Sequence, residues 1–254
     1  MEFIYRDEHL VAVNKPAGLL VHRSPIDRHE TRFALQLVRN RLGRHVYPVH
    51  RLDRPTSGVL LFALSPMGAR SLREAYAAST VVKTYLAVVR GVVDAQGVID
   101  HPLVPRAEHS VGRPEEPEKG ARQALTNYHR LASVELPIAV GRYPTARYSL
   151  VCLRPVTGRR HQLRRHLKHL FHPIIGDTNY GDGRHNRFFR EAYGCSRLLL
   201  AAVELTFPHP DSGVTVTVTA PLDAVFALLL ERLGLRHAVP SRWLPADGSS
   251  GDGC

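Results

Sequence analysis

The constraint that weighs most on this chain is the order of its strand-forming runs. Residues 80–93, TVVKTYLAVVRGVV, are dense in β-branched side chains and predict a strand. Residues 59–64, 147–156, 197–207 and 213–220 read the same way, the last two as a hairpin turned at DSG. The opening stretch, FIYRDEHLVAVNKPAG, predicts two short strands around a charged turn, closed by Pro16 and Gly18. Helices are predicted at 31–42, after Ser65 and Pro66, at 158–172 and at 222–235. They do not alternate regularly with the strands. That pattern predicts an α+β fold with a largely antiparallel central sheet flanked by helices and loops. Residues 105–123, rich in proline and mixed charge, read as an exposed loop within one domain spanning 1–237. Residues 238–254, ending ADGSSGDGC, are expected to be a flexible tail.

Charge narrows the partner. Lysine and arginine number 34 against 23 acidic residues, a net +11 before any of the 15 histidines is counted. Such a balance favours nucleic acid or an anionic surface, although a basic protein without that role has the same composition. Cys152, Cys195 and Cys254 lack metal-ligand or redox spacing, and reduced thiols in a cytoplasm are the simplest expectation. MEFIYRDEHL carries early acids and lacks the apolar segment of a signal peptide. No apolar run approaches the roughly 20 residues that span a bilayer. Nothing suggests an extended apolar interface, so a monomer is expected.

The most cationic stretch is the helix predicted over 158–172, GRRHQLRRHLKHLFH. Thr157 stands where it could cap that helix, and Pro173 ends it. Leu163, Leu167, Leu170 and Phe171 are spaced to face a core. The remaining positions carry Arg159, Arg160, Arg164, Arg165 and Lys168 with His161, His166, His169 and His172, and no acid. A charge run is usually a solvated surface, but a face of one sign favours phosphate contact. His169 and His172 have workable metal spacing, yet no cysteine or carboxylate is close in sequence and the arginines repel a cation, so no metal is expected. The chain has no GxxxxGK[ST] loop, no GxGxxG after a strand, no GxSxG elbow and no DxD or DxE pair. Nucleotide-cofactor, α/β-hydrolase and two-metal nuclease chemistry therefore lack their motifs.

One stretch stays unexplained, HRLDRPTSG at 50–58, where Asp53 sits between Arg51 and Arg54. In a Pro/Gly loop an aspartate more often shapes the turn. The alternative is a carboxylate that surrounding cations would keep anionic and nucleophilic.

HRLDRPTSG resembles the HRLDxxTSG signature of the RluA-type pseudouridine synthases. Four further segments agree in order: VNKPAGLLVH at 13–22, KTYLAVVRG at 83–91, GRRHQLRRH at 158–166 and HPIIGDTNYG at 172–181. The resemblance covers roughly residues 3–235. It implies the pseudouridine synthase catalytic fold with an active-site cleft across the sheet, here without the small N-terminal S4 domain of some relatives. It also implies isomerisation of uridine within RNA with no cofactor. By this resemblance Asp53 is the catalytic carboxylate, Tyr85 lies against the uracil and is a candidate general base, and Arg164 pairs with Asp53. Arg51 is either a wedge into the space left by the flipped base or a phosphate contact. Arg54, Arg159, Arg165 and Lys168 are expected along the RNA backbone, and His50, Lys83, Arg160 and His161 complete the expected RNA-contacting set. DRPTSG, Arg160 and VELPIAVGRYPTARY at 134–148 are similar to the family members that act on tRNA, at uridine 65 in the TΨC-stem region. A ribosomal-RNA substrate and a catalytically silent RNA-binding role remain as alternatives.

Overall fold

The computed structural model describes residues 1–23, 30–105 and 120–246. Most of the loop expected at 105–123 lies outside the described residues. Among these residues ten strands form one mixed sheet: β1 (Glu2–Arg6), β2 (Leu10–Lys15), β3 (Tyr47–Pro48), β4 (Ser57–Ala63), β5 (Val82–Arg90), β6 (Gln96–Asp100), β7 (Leu125–Leu136), β8 (Ala146–Pro155), β9 (Leu200–Pro208) and β10 (Thr215–Thr219). The main path runs β1-β2-β4-β9-β5-β8-β7-β6, with β3 paired to β4 and β10 to β9. Every pairing is antiparallel except β4 with β9, which meet in parallel at Ser57↔Ala201 and Gly58↔Ala202. Gly58 makes that junction possible. Its φ is +110°, and a Cβ there would lie 2.1 Å from the Ala202 carbonyl oxygen.

Among the described residues five α-helices cover the two faces: α1 (Ala34–Leu42), α2 (Pro66–Ala77), α3 (Gln162–His169), α4 (Gly183–Tyr193) and α5 (Ala224–Arg232). The period-two alternation of the strands sorts the core. Val13, Leu60 and Phe62 pack with Val38 of α1, while Ala87, Val89 and Val151 pack with Leu163 and Leu167 of α3. The opposite face takes Leu72 of α2, Phe189 of α4 and Phe226 of α5. Ser65 caps α2 as its sequence predicts, accepting from the Gly68 N–H at 3.0 Å.

Three expectations need correction. Thr157 does not cap α3. The helix begins at Gln162, and the Thr157 hydroxyl instead donates to Gln162 Oε1 at 2.7 Å and accepts from Leu125 N–H at 3.0 Å. Phe171 leaves the apolar stripe of α3: the helix has already ended, and this ring is 79% exposed with φ +61°. Residues 238–246 are not a loose tail. Val239 and Trp243 are buried in the core beside α5, and Trp243 returns its carbonyl to Leu222 N–H and its indole N–H to Glu204. The rest of the expected tail, 247–254, lies outside the described residues.

Candidate active site

The HRLDRPTSG loop joins β3 to β4 and is pinned by what it buries. Leu52 is inserted among Val13, Leu60 and Phe62, and Thr56 N–H closes a turn onto the Asp53 carbonyl at 3.0 Å. Between these anchors Asp53 projects into a cleft on the face carrying α1 and α3, with its side chain 21% exposed. Two contiguous hollows, of about 540 and 420 Å³, meet at Asp53, Arg51, Arg160, His161 and Arg164.

Arg164 organises the floor. Its Nη1 donates to Asp53 Oδ2 at 3.2 Å. Its Nε and Nη2 form a fork on Asp177, at 2.7 and 2.8 Å. Asp177 Oδ1 also accepts the Asn179 and Tyr180 N–H groups, at 2.9 and 3.0 Å. Burial opposes the charge on Asp177, but the Arg164 hydrogen bonds and these two amides outweigh it and hold the carboxyl below its ordinary range. Burial likewise opposes the charge of Arg164, and Asp177 and Asp53 together overcome it. Asp177 thus fixes one edge of the guanidinium so that another faces Asp53.

Asp177 lies in HPIIGDTNYG, a segment whose sequence alone assigns it no role. The same holds for Gln162, whose amide accepts from the Thr157 hydroxyl and the Arg159 N–H and donates to Leu125 C=O and Thr126 Oγ1, anchoring the start of α3 to β7. It also holds for Lys15, fully buried, whose Nζ donates to the carbonyls of Pro16, Leu19 and Arg54 at 3.0, 2.8 and 3.1 Å. Burial pushes its pKa down to about 7; the charge of Asp53 opposes that shift and Arg197 adds to it. Arg197, on the wall of the larger hollow, bridges Ser57 Oγ at 2.9 Å and the Asp223 carboxylate. Lone residues inside apolar or Gly-flanked motifs carried no periodic signal that could have marked them.

Tyr85 lies on β5 at the wall of the smaller hollow, facing the same side as Lys83. Burial, and then the charge of Asp53, push its hydroxyl pKa well up, so the phenol keeps its proton at neutral pH. Tyr76, from α2, completes this wall with a buried hydroxyl that has no hydrogen-bond partner among the described residues.

The other expected RNA contacts divide. Arg51, Arg159 and Arg160 are exposed and line the hollows. Arg54 reaches the larger hollow while bracing Gly18 C=O at 3.1 Å and pairing with Glu30. Lys83 is half-buried against the carbonyls of Val156 and Thr157, both at 3.4 Å. His161 sits inside the cleft, Nε2 3.8 Å from Asp53 and Nδ1 3.0 Å from the Tyr180 hydroxyl, and burial lowers its pKa. His50 lies on the wall of the smaller hollow. Its Nε2 accepts Leu61 N–H at 3.1 Å and its ring stacks on Tyr76. Burial, aided by Lys83, drives its pKa to about 4. Arg165 and Lys168 line neither hollow, and Arg165 is turned to the Val104 carbonyl at 3.0 Å.

A carboxylate hydrogen-bonded to a braced arginine thus stands beside a buried tyrosine in a cleft rimmed by cations, an arrangement suited to an anionic substrate. The RNA pseudouridylate synthase family model matches residues 9–169, and the chain belongs to that family. It is 52% identical over 240 residues to tRNA pseudouridine synthase C of Pectobacterium carotovorum, covering 94% of this chain and 64% of that one. It is 49% identical to the protein of the same name from Vibrio cholerae, covering 94% of this chain and 98% of the other. Among solved structures, human RNA pseudouridylate synthase domain containing 4 superposes with a TM-score of 0.69 at 27% identity, covering 91% of this chain and 92% of that one.

Proposed function

We propose that the chain isomerises a uridine of tRNA to pseudouridine, the target being uridine 65, with Asp53 as the catalytic carboxylate. The observation that carries this reading is the Asp177–Arg164–Asp53 relay, which presents one carboxylate toward an otherwise cationic cleft. The reaction breaks the N1–C1′ bond and forms C5–C1′; the C5 proton leaves to solvent and N1 regains one. Nothing is oxidised or reduced, so the step calls for no redox partner. Arg164 orients Asp53 toward the detached or detaching uracil. Tyr85, protonated, walls the base and donates a hydrogen bond; serving as a base at neutral pH would run against its raised pKa. Arg51 and Arg160 stand at the mouth, where a flipped nucleotide enters with its flanking phosphates.

The test is release of tritium from a tRNA transcript labelled at uridine C5, followed by mapping of the modified position. Wild-type protein is expected to release one equivalent per target uridine. Asp53→Asn is expected to bind the transcript as wild type does and release none. Turnover by Asp53→Asn, or modification confined to ribosomal RNA, overturns the assignment.

A further inference from the structure

A second cationic hollow, of about 510 Å³, opens beyond the far end of α3 and shares no lining residue with the catalytic cleft. Arg90, Arg142, Arg147 and Arg184 line it against a single carboxylate, Asp182, which Arg90 engages at 2.6 Å. Arg142, Arg147 and Arg184 are exposed and form no ion pair among the described residues. Glu135, opposite Arg147 in the β7–β8 register, is taken by the Thr145 hydroxyl at 2.6 Å.

Two exposed aromatic rings also line this hollow. Tyr143 is 58% exposed, with the Arg142 guanidinium over its ring at 4.8 Å. Phe171 is the more telling. It closes α3 in a double-bonded C-terminal turn: His172 N–H reaches Leu167 C=O at 2.9 Å, and Phe171 N–H reaches Lys168 C=O at 3.0 Å. The residue at that point needs positive φ, which favours glycine. Here a phenylalanine adopts φ +61° and buries little of its ring. Folding alone gains nothing from that choice, whereas an aromatic surface for stacking does.

We infer that this hollow is a second RNA-docking surface, where arginines hold backbone phosphates and Phe171 and Tyr143 stack on an unpaired base of the same substrate RNA. The inference rests on the reading of the cleft as RNA-directed. The two surfaces lie at opposite ends of α3, an eight-residue helix about 12 Å long at 1.5 Å per residue, a span that one RNA can cover. Two of the docking arginines, Arg142 and Arg147, lie within residues 134–148, well away in sequence from the Asp53 loop.

The test uses the full chain and a full-length tRNA transcript. Binding is measured by fluorescence anisotropy across a salt series in the Asp53→Asn background, and KM and kcat are measured in the active protein. Phe171→Gly should keep or raise the thermal midpoint, because glycine relaxes the positive φ, yet weaken transcript binding about fivefold. The double variant Arg142→Ala/Arg147→Ala should raise KM with little change in kcat and lower the salt slope by about two units. Wild-type affinity and salt slope in both variants overturn the inference. A wild-type protein that binds tRNA without forming pseudouridine refutes the catalytic reading instead, and the binding contrast among variants still decides the docking surface.

Discussion

Replacing Asp177 by asparagine tests whether the site is built from Asp177 outward. Both partners of the fork are buried, with Arg164 4% and Asp177 1% exposed at the side chain. Removing one charge from such a pair typically costs about 3–5 kcal/mol, because the other is left buried without compensation. Asparagine keeps an oxygen for the Asn179 and Tyr180 N–H groups but turns an amide N–H₂ toward Arg164. Arg164 also retains Asp53. The expected loss is therefore below that range, about 2–3 kcal/mol, or about 5–10 °C in Tm for a chain of this size. The pH dependence carries the sharper signature. The Asp177 carboxyl lies below its ordinary value of 3.8 in the folded protein, so its stabilisation is fully present above the unfolded value and is lost as pH falls through the folded one. Denaturant melts of both proteins from pH 7 to pH 3 should show a constant gap down to about pH 5 that narrows below about pH 4. Equal stability at neutral pH, or a gap that persists unchanged to pH 3, would refute the claim that an ionised Asp177 holds Arg164.

Two other substitutions probe the frame. Gly58→Ala would drive a methyl group into the Ala202 backbone at a φ that L-residues avoid; a loss above about 3 kcal/mol is expected, read from the denaturation midpoint or the soluble yield, and a near-native midpoint contradicts it. Tyr76→Phe deletes a buried hydroxyl that lacks a partner among the described residues; about 1 kcal/mol of added stability is expected in the absence of RNA, and destabilisation in a denaturant melt would show that the hydroxyl is satisfied.

Where side chains announce their own surroundings, the sequence was readable. The β-branched run around Tyr85 is β5, Ser65 and Pro66 start α2, and the apolar stripe of Leu163 and Leu167 does face the core. Asp53, Tyr85 and Arg164, far apart in the chain, converge on one cleft. Elements defined by their partners were not readable. β6, QGVID, buries little besides Ile99 and exists through its pairing with β7. α4, GRHNRFFREAY, fully buries Phe189 alone, and its start is set by the Asp182 side chain accepting Arg184 N–H. His50, expected among the RNA contacts, also accepts a backbone N–H, that of Leu61, which only the folded β4 presents. Thr157 had the right chemistry for a cap and found Gln162 instead.

The parallel contact between β4 and β9 has a mechanical consequence. Asp53 hangs from the strand on one side of that junction; Tyr85, Arg164 and Asp177 belong to the other side. Only two residue pairs join the strands there, while Leu10 and Leu61 seal one face by packing with Leu205 and Phe207. That junction is the shortest ladder on the main path of the sheet. A load applied across the cleft, such as a structured RNA gripping both rims, would meet fewer paired residues there than at any other junction on that path.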